Sequence, residues 1–311
     1  MKRRLRINRK AVYLLALAML IITSSCTRRD LVELPTSRLY INVDWTKFGA
    51  KSKTDYFYVL AYQRNSTTTK SNISTFIEGD GGYIALPRGV FDIIIYTYDY
   101  EAIVVRETDR FFSALATTPP SDPNRTFKGK VMSFDDYLIL HQTDEVFYTG
   151  TYEGIEIEEV GVEYEISIAP DDVIKNYEIR VEVENAGGLV GVYGIVSGLS
   201  GSYMLGEHKP ADDPVSIHGE MRLKDGELIM HLSTFGKIKG RGSSLVVRTI
   251  LNNGETLFFE FDITDDMDGL PDGGLITIGD LIELPYIGGT GGGMGASVDD
   301  WGEEEGVDIE L

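Results

Sequence analysis

The 311-residue chain carries 49 acidic against 29 basic side chains, a net charge of −20, and a surface of that sign repels nucleic-acid phosphates. One cysteine excludes an internal disulfide framework, and the length leaves room for about two domains.

The amino end, MKRRLRINRK, is basic and holds no acid; the apolar run AVYLLALAMLII follows, and small polar residues lead to Cys26. That is the order of a secretory signal. The apolar run of about a dozen residues falls short of the ~20 that a membrane-spanning helix needs, so residues 1–25 are expected to be cleaved as a signal peptide. Cys26 stands where a bacterial lipobox places the thiol that receives diacylglycerol and then becomes the first residue. Ser24 and Ser25 fill its small-residue positions, and Thr23 stands where leucine is usual. The alternative is an ordinary cleaved signal with an incidental thiol. Buried methylenes, worth ~0.8 kcal/mol each, would hold a triacylated Cys26 in a lipid bilayer. Removing residues 1–25, with their six basic side chains, takes the net charge from −20 to −26. No polybasic attraction to lipid remains, so Cys26 alone would attach the chain, through a linker of residues 26–36.

LYINVDW (39–45) alternates Leu39, Ile41, Val43 and Trp45 against polar neighbours, the period of a strand with one buried face, and predicts that Trp45 is buried. YEIRVEVE (177–184) and LFFEFDI (257–263) repeat the pattern and read as half-solvated antiparallel strands. YFYVLAY (56–62), VFDIIIYTY (90–98), EAIVVRE (101–107), ELIMHL (227–232) and SLVVRTIL (244–251) are β-branched or aromatic, too short for ordinary helices, and read as central strands. Turn signals stand at LPRG (86–89), GGL (187–189) and NNGE (252–255), where Asn253-Gly254 suits a type I′ hairpin. A short helical turn is possible at SFDDYLILH (133–141), with Ser133 as its cap. The chain is therefore all-β, with strand spacing that points to sandwiches.

The acidic, glycine-punctuated stretch YTGTYEGIEIEEVG marks a boundary and divides the chain into sandwiches over 37–153 and 154–287. Residues 288–311 differ: a glycine run precedes an acidic end, VDIEL, whose Val307, Ile309 and Leu311 alternate with Asp308 and Glu310. That end is expected to be a strand, returning to its own second sandwich or reaching into a neighbouring subunit.

Nothing in the chain has the layout of a catalytic or cofactor site, and no cofactor or metal is expected. His141, His208, His218 and His231 are scattered, with no two at a metal-ligand spacing. GLSGS (198–202) has serine where a nucleophile elbow ends in glycine. Asp265, Asp266, Asp268 and Asp272 offer calcium-type oxygens, but Leu270 and Pro271 break the EF-hand spacing, and a solvated acidic loop is the expected role. The 17 tyrosines fall mostly in strand patterns, where packing explains them, with exposed ones left as sugar-stacking candidates.

The lipobox, CTRRDL, LYINVDW, LPRGVFDIIIYTYDYEAI, GLVGVYGIVSGLSGSYML and the end GGTGGGMGASVDDWGEEEGVDIEL together resemble fimbrillin-related lipoproteins of anaerobic gut and oral bacteria, in particular fimbrial anchor subunits and a neighbouring lipoprotein family. The resemblance implies two tandem transthyretin-like β-sandwich domains at the outer membrane, and it brings no catalytic residues. TRRDLVE is basic before it is acidic, unlike the acidic export signals of such proteins, so surface-facing and periplasm-facing orientations both stay open. Two functions follow as expectations. The first is a fimbrial anchor-like or accessory adhesion subunit with fimbrial subunits as partners. The second is a glycan-binding accessory lipoprotein that uses exposed aromatics such as Trp301.

Overall fold

The computed structural model describes residues 35–64, 72–98, 102–118, 139–141 and 146–286. Within them the first half supplies β1 (Thr36–Val43), β2 (Tyr56–Gln63), β3 (Asn72–Glu78), β4 (Gly81–Pro87), β5 (Gly89–Thr97), β6 (Val104–Arg106), β7 (Leu115–Thr117), β8 (Ile139–His141), β9 (Tyr148–Ile157), β10 (Glu163–Ile168) and β11 (Asp171–Asp172). Eight of these form one sheet in the order β10-β1-β4-β3-β2-β5-β9-β11. β3 and β4 share a single paired position, Glu78 with Gly81, so their hairpin carries the chain from one layer to the other. β10-β1-β4 thus faces β3-β2-β5-β9 across a core that includes Leu39, Ile41, Phe57, Val59, Phe91, Ile93, Ile157 and Ile166. Trp45 closes one end. It is 3% exposed, donates its indole N–H to Gly79 O at 2.8 Å, and packs against Phe57 and Tyr148 at 5.7 and 5.0 Å between ring centroids.

The second half supplies β12 (Lys175–Glu184), β13 (Leu189–Ser200), β14 (Ser202–Met204), β15 (Lys209–Pro210), β16 (Pro214–Glu220), β17 (Arg222–Lys224), β18 (Glu227–Thr234), β19 (Ser244–Leu251), β20 (Thr256–Asp262), the helical turn α1 (Thr264–Gly269) and β21 (Gly273–Glu283). Sheets β20-β19-β13-β16-β8 and β17-β18-β12-β21 enclose a core of Ile179, Val181, Val196, Leu228, Met230, Leu245, Val247 and their neighbours. Asp225 and Gly226, with φ of 54° and 85°, make a two-residue turn between β17 and β18, the pair of positive φ values that a type I′ hairpin requires.

The halves are joined by a third core. Leu60, Tyr62, Ile94 and Tyr96 sit on the outer face of the first sandwich and, with Ile103, Phe111 and Phe147, pack against Val173, Ile174, Tyr203, Leu205 and Phe235 of the second half. A four-stranded sheet, β15-β14-β7-β6, crosses the same joint, and β8 pairs in parallel with β16. A polar clamp stands beside it. Asp92, 6% exposed on β5, accepts two 2.8 Å hydrogen bonds from Arg64 Nε and one of 2.9 Å from Gly154 N, and Arg64 also reaches Glu153.

The strands expected at 39–45, 56–62, 90–98, 177–184, 227–232, 244–251 and 257–263 all form, within a few residues at each end. Five expectations are corrected. The sheets are mixed, because β1 and β12 each pair in parallel, with β10 and β21, besides their antiparallel partners. The run at 101–107 yields only β6, an edge strand. Residues 139–141 pair as β8 where a helical turn was expected, the rest of 133–141 lying outside the described residues. The Asn253-Gly254 turn is not type I′. Only Gly254 has positive φ, 83°, and its N–H donates to Leu251 O at 2.8 Å, so a type I turn is followed by a left-handed glycine. The division placed at 153/154 falls inside β9, whose sheet runs on to Asp172.

Two substitutions test this packing. Trp45→Ala is expected to cost about 3–5 kcal/mol in urea unfolding, the usual loss for a buried aromatic. Tyr62 Oη is buried with no hydrogen-bond partner among the described residues, and burial pushes the phenol pKa well up. Tyr62→Phe, which removes that hydroxyl and keeps the ring, should therefore leave stability unchanged or raise it by about 1 kcal/mol.

Candidate docking surfaces

Three features singled out in the sequence, Cys26, Trp301 and the end Val307–Leu311, lie outside the described residues. The histidines stand on separate elements. His208, at φ 50° between β14 and β15, has Nε2 2.6 Å from Thr151 Oγ1 of β9, and burial lowers its pKa against the pull of Asp171 and Glu153. His231 lies on the exposed side of β18, its Nδ1 3.9 Å from Glu178. His218 stacks on Tyr193 with ring centroids 5.4 Å apart, and the β8–β16 register sets it opposite His141. That neighbourhood is invisible in the sequence because the two residues are 77 positions apart, and a pair of histidines alone does not make a metal centre. Among the described residues no group of three or more potential ligands gathers.

GLSGS has a structural role. Ser200 Oγ lies within hydrogen-bond distance of the carbonyls of Ser202 and Ala211 at 2.6 and 2.7 Å and of Asp213 Oδ1 at 2.9 Å. Ser202 Oγ donates to Asp213 Oδ2 at 2.7 Å. Both hydroxyls are buried, and Asp213 ties them to the start of β16. In the acidic loop, Lys237 reaches Asp268 at 2.5 Å and Lys175 reaches Asp272 at 3.0 Å. The Thr264 side chain and then its backbone N–H, 2.9 Å from Asp262 Oδ1, hold the Asp262 carboxyl below the usual carboxylate range. Two of the four candidate calcium ligands are thus ion-paired to lysine ammonium groups.

The exposed surface is more informative. Tyr58 shares the outer face of β2 with Tyr56, opposite to the core-facing Phe57 and Val59. Ladder register places Phe76 and Tyr96 on either side of Tyr58. Tyr58, Phe76 and Tyr98 form a cluster with centroid separations of 4.8–5.7 Å, and Tyr56, Phe76 and Tyr98 are 57%, 49% and 53% exposed. This aromatic patch is continuous with the joint between the halves, since Tyr58 also packs against that core. A second, smaller cluster lies on β1 and β4, where Tyr40 meets Tyr83 at 5.0 Å and the Arg38 guanidinium sits 3.9 Å from the Tyr83 ring centre. Sequence reasoning gave most tyrosines to strand packing and did not say which are exposed; the signal was available in YFYVLAY, whose two faces are both apolar and cannot both belong to one core.

Comparison with known proteins follows the same architecture. The sequence is 22% identical to a Bacteroides ovatus protein that bears the name fimbrium anchoring subunit Fim4B, over 98% of this chain and 99% of that one. Its fold is similar to that of a Bacteroides ovatus protein named as an adhesin, with a TM-score of 0.66 at 18% identity over 84% of this chain and 96% of the other. It also matches a Bacteroides thetaiotaomicron protein named as polysaccharide-binding, with a TM-score of 0.53 at 12% identity over 78% and 90% of the two chains. The profile of the family described as Domain of unknown function (DUF5119) matches residues 25–220, and the chain belongs to that family.

Proposed function

We propose that this protein is a lipid-anchored subunit of the cell envelope that serves as a fimbrial anchor-like or accessory adhesion component, with acylated Cys26 as its attachment to the outer membrane. The observation that carries this reading is the end-to-end alignment with a relative named as a fimbrium anchoring subunit, which takes in the amino-terminal segment as well as both sandwiches. No helix among the described residues is long and apolar enough to cross a membrane. In this reading residues 26–36 tether a two-sandwich body whose outer faces meet fimbrial subunits. The role is structural and not catalytic, in keeping with serine hydroxyls that are consumed by Asp213 and backbone carbonyls.

A second reading, glycan binding, is favoured by one observation: the exposed rings of Phe76 and Tyr98 stand together with Tyr58, and Tyr56 is exposed on the same face of β2, so phenol hydroxyls that can hydrogen-bond a sugar lie close to the apolar rings.

Cys26→Ser is expected to abolish incorporation of a palmitate analogue and to shift the protein from the membrane fraction to the soluble one. Label retained by the serine variant refutes the tether. The triple variant Tyr56→Ala, Phe76→Ala, Tyr98→Ala changes exposed side chains, so its thermal stability should stay within about 1 kcal/mol of the wild type. Loss of retention on a glycan array, with capture of fimbrial subunits intact, would favour the second reading. Loss of subunit capture with no glycan signal in either protein would favour the first.

A further inference from the structure

Among the described residues, the second sandwich is open on the side of β20 and β21. β20 and β21 are the outermost strands of their sheets, and α1 leads from the end of one to the start of the other, so both border the same seam. On β21, Ile276, Ile278 and Ile282 are buried. On β20, Leu257, Phe259 and Phe261 pack against the same core but stay half-exposed, and Phe258 on the opposite face is 41% exposed. Three large core-facing side chains therefore lack cover on the flank where the ladder has no next strand. The outermost strand of the same sheet as β21, at its other edge, is β17, only three residues long and carrying Arg222 and Lys224, a short charged edge that discourages pairing. β20 has seven residues, and its two carboxylates, Glu260 and Asp262, lie on the exposed face, so the core-facing side of this edge stays apolar. An apolar edge of that kind is a template for an added strand.

The described chain ends at the mouth of this seam. Leu284 N donates to Glu184 O, and Asn252 N donates to Gly188 O, which puts the exit near Tyr286 at the end of the sandwich where β20 begins. Beyond it run the glycine-rich residues 287–306 and then Val307, Ile309 and Leu311, spaced by two as Leu257, Phe259 and Phe261 are. A tether of that length holds its end at an effective concentration on the order of millimolar, which a separate partner of equal affinity would have to match. We infer that Val307–Leu311 of the same chain seats in the seam as an added strand on β20, with Val307, Ile309 and Leu311 over Leu257, Phe259 and Phe261. Asp308 and Glu310 then share the solvent face with Glu260 and Asp262. Like charges on neighbouring strands oppose the closure, so screening by salt tightens it.

Hydrogen–deuterium exchange on the full-length protein in detergent, compared with truncation after Gly306 and with Ile309→Asp, tests the inference. The amides of Thr256–Asp262 should exchange at least ~10-fold more slowly in the full-length protein than in either variant, with β5 amides unaffected as an internal control. That protection should not depend on protein concentration and should increase with salt. Exchange at β20 that is unchanged in both variants overturns the inference. Protection that falls on dilution overturns it as well, by assigning the seam to a second copy of the chain.

Discussion

The architecture depends on a strand that is apolar on both faces. Every residue of Phe91–Thr97 in β5 is buried, with Phe91, Ile93 and Ile95 in the core of the first sandwich and Ile94 and Tyr96 in the core between the halves. Burying one large apolar side chain is worth about 1.5–3 kcal/mol. The outer face of β2 and β5, with Leu60, Tyr62, Ile94 and Tyr96, would expose several such side chains if the second half were absent. The cover comes from Val173, Ile174, Tyr203, Leu205 and Phe235, and from β7, which pairs with β14, with β6 beyond it. The two sandwiches are therefore parts of one packed body, and Asp92 shows how firmly the joint's surroundings are fixed: its buried charge is acceptable only because Arg64 and Gly154 N meet it.

This double-sided burial was legible in the sequence, although its consequence was not. VFDIIIYTY has no alternation, which correctly marks a strand without a solvent face; the second cover comes from residues far along the chain, among them Val173, Ile174, Tyr203, Leu205 and Phe235. Period-two segments such as LYINV and YEIRVEVE gave their buried faces directly, since the pleat converts alternation into sidedness. Alternation carries no information on whether the next strand runs parallel or antiparallel, and the parallel partners of β1 and β12 were missed for that reason. The turn at Asn253-Gly254 was misjudged because two asparagines precede the glycine and allow a type I turn with a left-handed fourth residue. Asp225-Gly226, an equally plain signal, is the true two-residue hairpin.

The candidate surfaces were less legible than the core. A tyrosine on a strand has the same sequence signature whether its ring meets another layer or water, and Tyr62 and Tyr56, six residues apart on one face of β2, take those two fates. The acidic loop after β20 likewise reads as a run of carboxylates, while its partners, Lys175 and Lys237, come from the strands β12 and the loop after β18. Each of these cases turns on a neighbour brought in by topology.

The placement of β1 has a mechanical consequence. The strand nearest the amino-terminal segment lies between β4 and β10, paired at seven positions on one side and six on the other. A load applied at Thr36 along the strand axis would act parallel to β1 and strain the hydrogen bonds of both ladders together. Peeling from an edge, where bonds break one at a time, is not open to a strand flanked on both sides. A chain pulled from this end therefore resists in shear, the loading geometry in which a small β-sandwich is strongest.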